Sequence, residues 1–271
     1  MKPDIDNDKS LSYIQINEYH TQVLKLALDI GECMLLCGGE VDRVEDTIIR
    51  ICTAYGAVKT DVFSITSVII ASATWKENSL VTQTRRIPSG GRNFEKLGEI
   101  NELSRQICYN KLDLSEAEEK ARAIINNKKS NPFRILLGNL LASGGFAIFF
   151  GGTLRDCFAA MMCAVIIFII DKYIYNNHVN KVVYYMFTSF IAGVVAIGTV
   201  YIGLGENIDM IMIGCIMLVI PGINFTAAVE DVLVGDTATG TLKLFESILL
   251  ACSIAAGFAA SVYLCGGLSL I

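Results

Sequence analysis

The second half of this chain sets the terms for the whole fold: from Ile135 to the end, apolar runs follow one another with only short polar pieces between them. A helix rises about 1.5 Å per residue, so about 20 mostly apolar residues cross the ~30 Å hydrocarbon layer of a bilayer. Five stretches meet or approach that length: Arg134 to Gly152, Cys157 to Tyr173, Val182 to Leu204, Ile208 to Val229 and Leu244 to Leu264. A water-solvated core cannot enclose all five in a chain of 271 residues. Lipid is therefore the expected solvent of residues 134–271, and the expected fold class is a polytopic α-helical membrane protein with an N-terminal α+β soluble domain.

The average composition, 53% hydrophobic and 18% charged, hides two different polymers joined near Pro132. Most of the charge lies before Lys129. Residues 1–18 start polar and acidic, lack the apolar core of a secretory signal, and read as a disordered tail. Residues 19–130 form the expected soluble domain. A net charge of -5 without a Lys/Arg run gives no support for a nucleic-acid partner. The nine cysteines show no CxxC or His-containing ligand pattern, so they read as reduced thiols and neither a metal nor another cofactor is expected.

Basic residues close to span ends stay on the cytoplasmic side. Lys128, Lys129 and Arg134 precede the first span, Lys172 and Lys181 separate the second from the third, and Lys243 precedes the fifth. The opposite loops offer Arg155 and the acidic stretch Gly205-Glu206-Asn207-Ile208-Asp209. This pattern puts the N-terminal domain in the cytoplasm and the C-terminus outside; the expected location is the cell (inner) membrane. An odd number of spans pairs naturally with a copy or partner of opposite orientation, a recurrent transporter plan, so a second multi-span membrane subunit or a homo-oligomer is expected.

Small residues such as Gly138, Gly144, Gly193 and Gly198 suit close helix packing. The fourth span differs, because Pro221-Gly222 interrupts it. Proline removes a backbone donor, and freed backbone groups at membrane depth need protein or a water-lined cavity, so this is either a binding element or an ordinary kink. Glu230, Asp231, Asp236, Thr237, Thr239 and Gly240 follow. Carboxylates so near lipid face a cavity or a partner, where they bind a cation or carry protons, or else the segment is a solvated loop.

In the first half, Leu24, Ala27, Leu28, Gly31, Met34 and Leu35 recur at helical spacing, and Val44, Ile48, Ile51, Cys52 and Tyr55 line a second helix that Gly56 stops. Val58 to Ser64, Ser67 to Trp75 and Leu80 to Ile87 predict a small antiparallel sheet with a turn at Lys76-Glu77-Asn78-Ser79. Phe94, Leu97, Ile100, Leu103 and Ile107 restore helical spacing, and Ser115 with Glu118 predicts a capping box opening another helix. The run Gly38 to Thr47, GGEVDRVEDT, is dense in both charge signs. It is either a solvated helix start with an Asp46–Arg50 pair, or a polar site or subunit contact in which Glu40 and Arg43 make fixed ion pairs. No catalytic set assembles: His20 and His178 lie in different halves, and Pro88-Ser89-Gly90-Gly91-Arg92 lacks the Lys-Ser/Thr of a phosphate loop. Cys33 and Cys37 share a helix face but lack further ligands.

Gly38 to Thr47, then Ala54-Tyr55-Gly56-Ala57, Arg85-Arg86-Ile87-Pro88, Pro221-Gly222, Asp231 and Gly235-Asp236, together resemble the threonine/serine exporter family. The resemblance covers nearly all of the chain after Tyr19. It implies a cytoplasmic α+β domain ahead of the spans, and the length is similar to that of the N-terminal component of two-chain members. It implies export of a small-molecule substrate, threonine or serine or a dicarboxylate such as succinate, with proton-motive-force coupling, and no enzyme activity. Glu40, Arg43 and Glu45 carry over as cytoplasmic-motif candidates, and Pro221, Gly222, Asn224, Asp231 and Asp236 as substrate- or ion-pathway candidates. Glu230 departs from a commoner basic residue. The competing classes are a membrane-anchored hydrolase and a sensory or assembly subunit that uses the cytoplasmic domain.

Overall fold

A computed structural model of the protein describes residues 5–76, 79–88, 91, 93–110, 112–127, 131–174 and 179–265, with side chains from residue 16 onward. Residues 1–4 of the expected tail, the turn residues Glu77 and Asn78, Lys128, Lys129 and His178 lie outside the described residues, as do Ser89, Gly90 and Arg92. The chain divides into two compact units, residues 1–128 and 129–271.

In the N-terminal unit, α1 (Ile5–Leu36) begins well before Tyr19 and runs through the segment read as a tail. Its apolar face, with Leu24, Leu28, Ile30 and Met34 at most 2% exposed, packs on α2 (Val41–Ala54). The buried residues Val41, Val44, Ile48, Ile51 and Cys52 form a single stripe on α2. Gly56 follows it with φ +88°, the left-handed stop that the spacing predicts. Strands β1 (Lys59–Ile65), β2 (Val68–Thr74) and β3 (Leu80–Arg86) make an antiparallel meander in the order β1-β2-β3, pairing Val62 with Ala71 and Ala71 with Gln83. His20, 6% exposed, stacks on Trp75 at 4.3 Å between ring centres and meets Ser79 Oγ at 3.1 Å, so it is a satisfied core residue.

Helices α3 (Phe94–Asn110) and α4 (Leu114–Asn126) close the unit. The expected capping box at α4 does not form. Asp113 is the cap, and its carboxylate accepts from the Ser115 N–H at 3.3 Å and from the Ser115 hydroxyl. Glu118 reaches instead to Arg122 at 3.1 Å. Asp113 directly precedes the helix and takes the N–H two residues on, so Ser115 falls inside the first turn and cannot be the cap.

In the C-terminal unit, α5 (Pro132–Phe149), α6 (Leu154–Ile174), α7 (Lys181–Tyr201) and α10 (Thr237–Leu264) are each long and apolar enough to cross a membrane. The pair α8 (Ile208–Val219) and α9 (Gly222–Val234), bent by 53°, makes a fifth when counted together. The tightest seam joins α7 to α10. A Cβ on Gly193 would collide with Ser261 Oγ, and one on Gly257 with the Met186 carbonyl, so these glycines set the helix separation. Helix α10 starts seven residues earlier than the apolar run beginning at Leu244, because Asp236 caps it and the polar Thr237 to Lys243 continue the same helix.

Candidate functional site

The charged run after α1 is a tight turn followed by a helix. Cys37 N–H bonds back to Cys33 and Met34, Gly38 turns at φ +90°, and Glu40 stands at the N-cap of α2 without a side-chain capping bond. The Glu40 carboxylate is thus left to the surroundings of the turn. A cleft of about 740 Å³ opens here between α2 and α3. Glu40, Arg43, Asp46 and Arg50 line the α2 wall, and Asn101 and Arg105 the α3 wall. Arg50 Nε lies 2.7 Å from Asp46, the pair expected from the i,i+4 spacing. The expected ion pairs of Glu40 and Arg43 are absent among the described residues, since both side chains are exposed at the cleft rather than locked to a neighbour.

Glu45 points elsewhere. Its carboxylate accepts from the Ser64 N–H at 2.6 Å and the Ser64 hydroxyl at 3.1 Å, tying α2 to the end of β1. Cys33 and Cys37 sit behind the turn, and burial, then the neighbouring thiol, pushes Cys33 up to about 12. Among the described residues no group of three or more His, Cys, Asp or Glu side chains converges as a metal site.

In the C-terminal unit, Pro221 centres an inverse γ-turn, with φ -78°, ψ 48° and a 2.9 Å bond from Gly222 N–H to the Ile220 carbonyl. The last carbonyls of α8 and the first N–H groups of α9 therefore leave their helical ladders at one break. Asn224 lies half-buried on the first turn of α9. Thr226 turns its hydroxyl back to the Ile223 carbonyl at 3.1 Å. Helix α9 ends at Gly235, which is left-handed at φ +105°, and Asp236 accepts from Thr239 N–H at 3.3 Å to cap α10. The segment from Glu230 to Gly240 is thus two helix ends and a sharp corner, not an open loop.

Across that corner Asp231 and Lys243 meet at 2.7 Å with side chains only 11% and 15% exposed. The contact is ionic and off the hydrogen-bonding direction, leaving Asp231 Oδ2 without an aligned donor. Thr239 beside it is fully buried with its hydroxyl unpartnered. Gly240 lets α9 approach, since a Cβ there would meet Val232 Cγ2 at 2.6 Å and the Ala228 carbonyl at 2.8 Å. The break at Pro221 and Asp231 thus lie on one short helix, within about three turns of each other, and Lys243 reaches Asp231 from α10.

The far end of the bundle is held by a carboxylate. Asp156, fully buried, accepts from the N–H groups of Thr153, Glu206 and Asn207 at 2.8, 2.7 and 2.8 Å, and from the Asn207 amide at 3.0 Å. Thr153 and Asp156 form a reciprocal capping box, whose signal Thr153-Leu154-Arg155-Asp156 is present in the sequence.

Residues 25–265 match the family model of threonine/serine exporters. The chain belongs to the threonine/serine exporter family. A Mycobacterium tuberculosis protein named "Probable threonine/serine exporter" is 22% identical over 254 residues, which cover 91% of this chain and 47% of that protein. The chain therefore spans about half the length of the curated relative it matches. No solved structure matches it. Membership fits a membrane location for the four membrane-length helices and the bent pair α8–α9. Arg105 and Asn101 line the cleft from more than 50 residues beyond the charged run of α2, with no local signature to mark them. Lys243, whose place at a span end bears on orientation, is in the fold also the counter-ion of Asp231.

Proposed function

We propose that this chain is one component of a secondary exporter in the cell (inner) membrane. It moves threonine, serine or a dicarboxylate such as succinate outward, with a second multi-span membrane subunit or a second copy, coupled to the proton-motive force. The observation that carries the reading is the Pro221 break followed by the sheltered Asp231–Lys243 pair in an otherwise apolar bundle. Broken helices belong to substrate and ion paths, and carboxylates held close to lipid face a cavity or a partner. The odd number of spans and the half-length match to the relative support a complementary half.

In this reading the N-terminal unit is a cytoplasmic soluble domain and the C-terminus is outside. Support comes from charge placement: Arg134, Lys172, Lys181 and Lys243 stand at one set of span ends, whereas Arg155 stands at the other. The test is efflux from cells loaded with threonine or serine dipeptides or with a succinate ester. Efflux should rise when the chain is expressed with its second membrane subunit and fall with a protonophore; unchanged efflux for every cargo, with and without that subunit, overturns the proposal.

A further inference from the structure

We propose that the cleft between α2 and α3, wholly within the N-terminal unit, is a binding site for a small amino acid in its zwitterionic form. About 740 Å³ is ample for such a ligand and lies within the usual range for small-molecule pockets. Of the five charged residues on its walls, Asp46 and Arg50 neutralise each other at 2.7 Å. Arg43, Arg105 and Glu40 have no ion-pair partner among the described residues, and all three line the concavity.

A helix face that needs charge only for solubility tends to match its signs locally along i,i+4 rows, as Asp46 and Arg50 do. The three spare groups come from two helices and the turn between Cys37 and α2, and face one space. Two guanidiniums and one carboxylate complement a ligand carrying both a carboxylate and an ammonium group. A guanidinium fork matches a carboxylate in shape, and Glu40 supplies the acceptor an ammonium needs. A dicarboxylate would bring its second charge toward Glu40 and Asp46, which disfavours it. Met34 and Leu97 add an apolar surface for an aliphatic side chain. The inference rests on the exporter reading only for the choice of threonine as probe.

The test is calorimetric titration of the full chain in lipid nanodiscs. Threonine should bind saturably, while threonine amide, N-acetylthreonine and succinate each bind at least tenfold more weakly. Arg105→Gln and Glu40→Gln should each weaken threonine on the order of tenfold or more, with Arg105→Lys retaining part of the affinity and Arg122→Gln, on α4, all of it. These side chains carry no internal ion pair, so melting temperatures should stay at the parent value. No saturable threonine binding, threonine binding indifferent to Arg105→Gln and Glu40→Gln, or tighter binding of succinate would each overturn the assignment. Threonine binding without efflux in any cell assay removes the exporter reading alone, whereas efflux without this binding removes the cleft alone.

Discussion

The acidic residues of this protein divide by what their oxygens touch. Glu45 and Asp156 are each consumed by backbone donors and hold elements together, whereas Glu40 faces an open cleft. Asp156→Ala would leave the Glu206 and Asn207 N–H groups without their carboxylate acceptor and remove half of a capping box. It should cost on the order of 3 kcal/mol, read as a lower melting temperature in detergent, with Asp156→Asn recovering part. At Cys33 the folded-state pKa of about 12 stands above the ~8.5 of an unfolded thiol. The folded chain then holds a proton that the unfolded chain releases, so Cys33 contributes a loss of stability as pH climbs from about 9 toward 12. Cys33→Ala should flatten the melting-temperature decline in that window, and native Cys33 should resist alkylation at pH 7. Both roles were only partly legible beforehand. The Thr153-to-Asp156 spacing announces a cap, but that the same carboxylate would also hold the turn ahead of α8 depends on a contact 50 residues away.

At the scale of elements, the break at Pro221 and the strand and helix periodicities are written locally, so the three strands and helices α5 to α9 lie near their apolar runs, whereas α10 starts ahead of its own. The corner at Gly235 is not. Its residues look like a polar loop because Asp231, Asp236 and Lys243 interrupt the apolar run, yet each finds a partner that keeps the helix going. This assigns the two aspartates different work. Asp236→Ser should retain transport, because serine caps nearly as well, while Asp236→Ala costs about 1 kcal/mol. Asp231→Asn and Lys243→Met should each impair transport by stranding the other charge, at roughly 3–5 kcal/mol if fully desolvated. The exchange Asp231→Lys with Lys243→Asp should restore folding; paired efflux and melting measurements separate the pair's structural from its conducting role.

At the scale of the molecule, an uneven distribution of basic residues makes orientation testable, and with α8 and α9 counted as one span the two termini fall on opposite sides. A fluorescent protein fused to the N-terminus should glow, and alkaline phosphatase fused to the C-terminus should be active, in intact cells. Helix α10 has 28 residues, so it is about 42 Å long and exceeds the ~30 Å of hydrocarbon. Its uncharged part, residues 247–264, measures about 27 Å, nearly a bilayer by itself. The Lys181–Glu246 pair sits where that part begins, so in the proposed orientation residues 237–246 and the tip of α9 come at the membrane boundary. Acyl-chain length then becomes a control variable. Thicker membranes would draw the charged elbow toward hydrocarbon and slow the cycle, so turnover in reconstituted vesicles should pass through an optimum as lipid tails are lengthened.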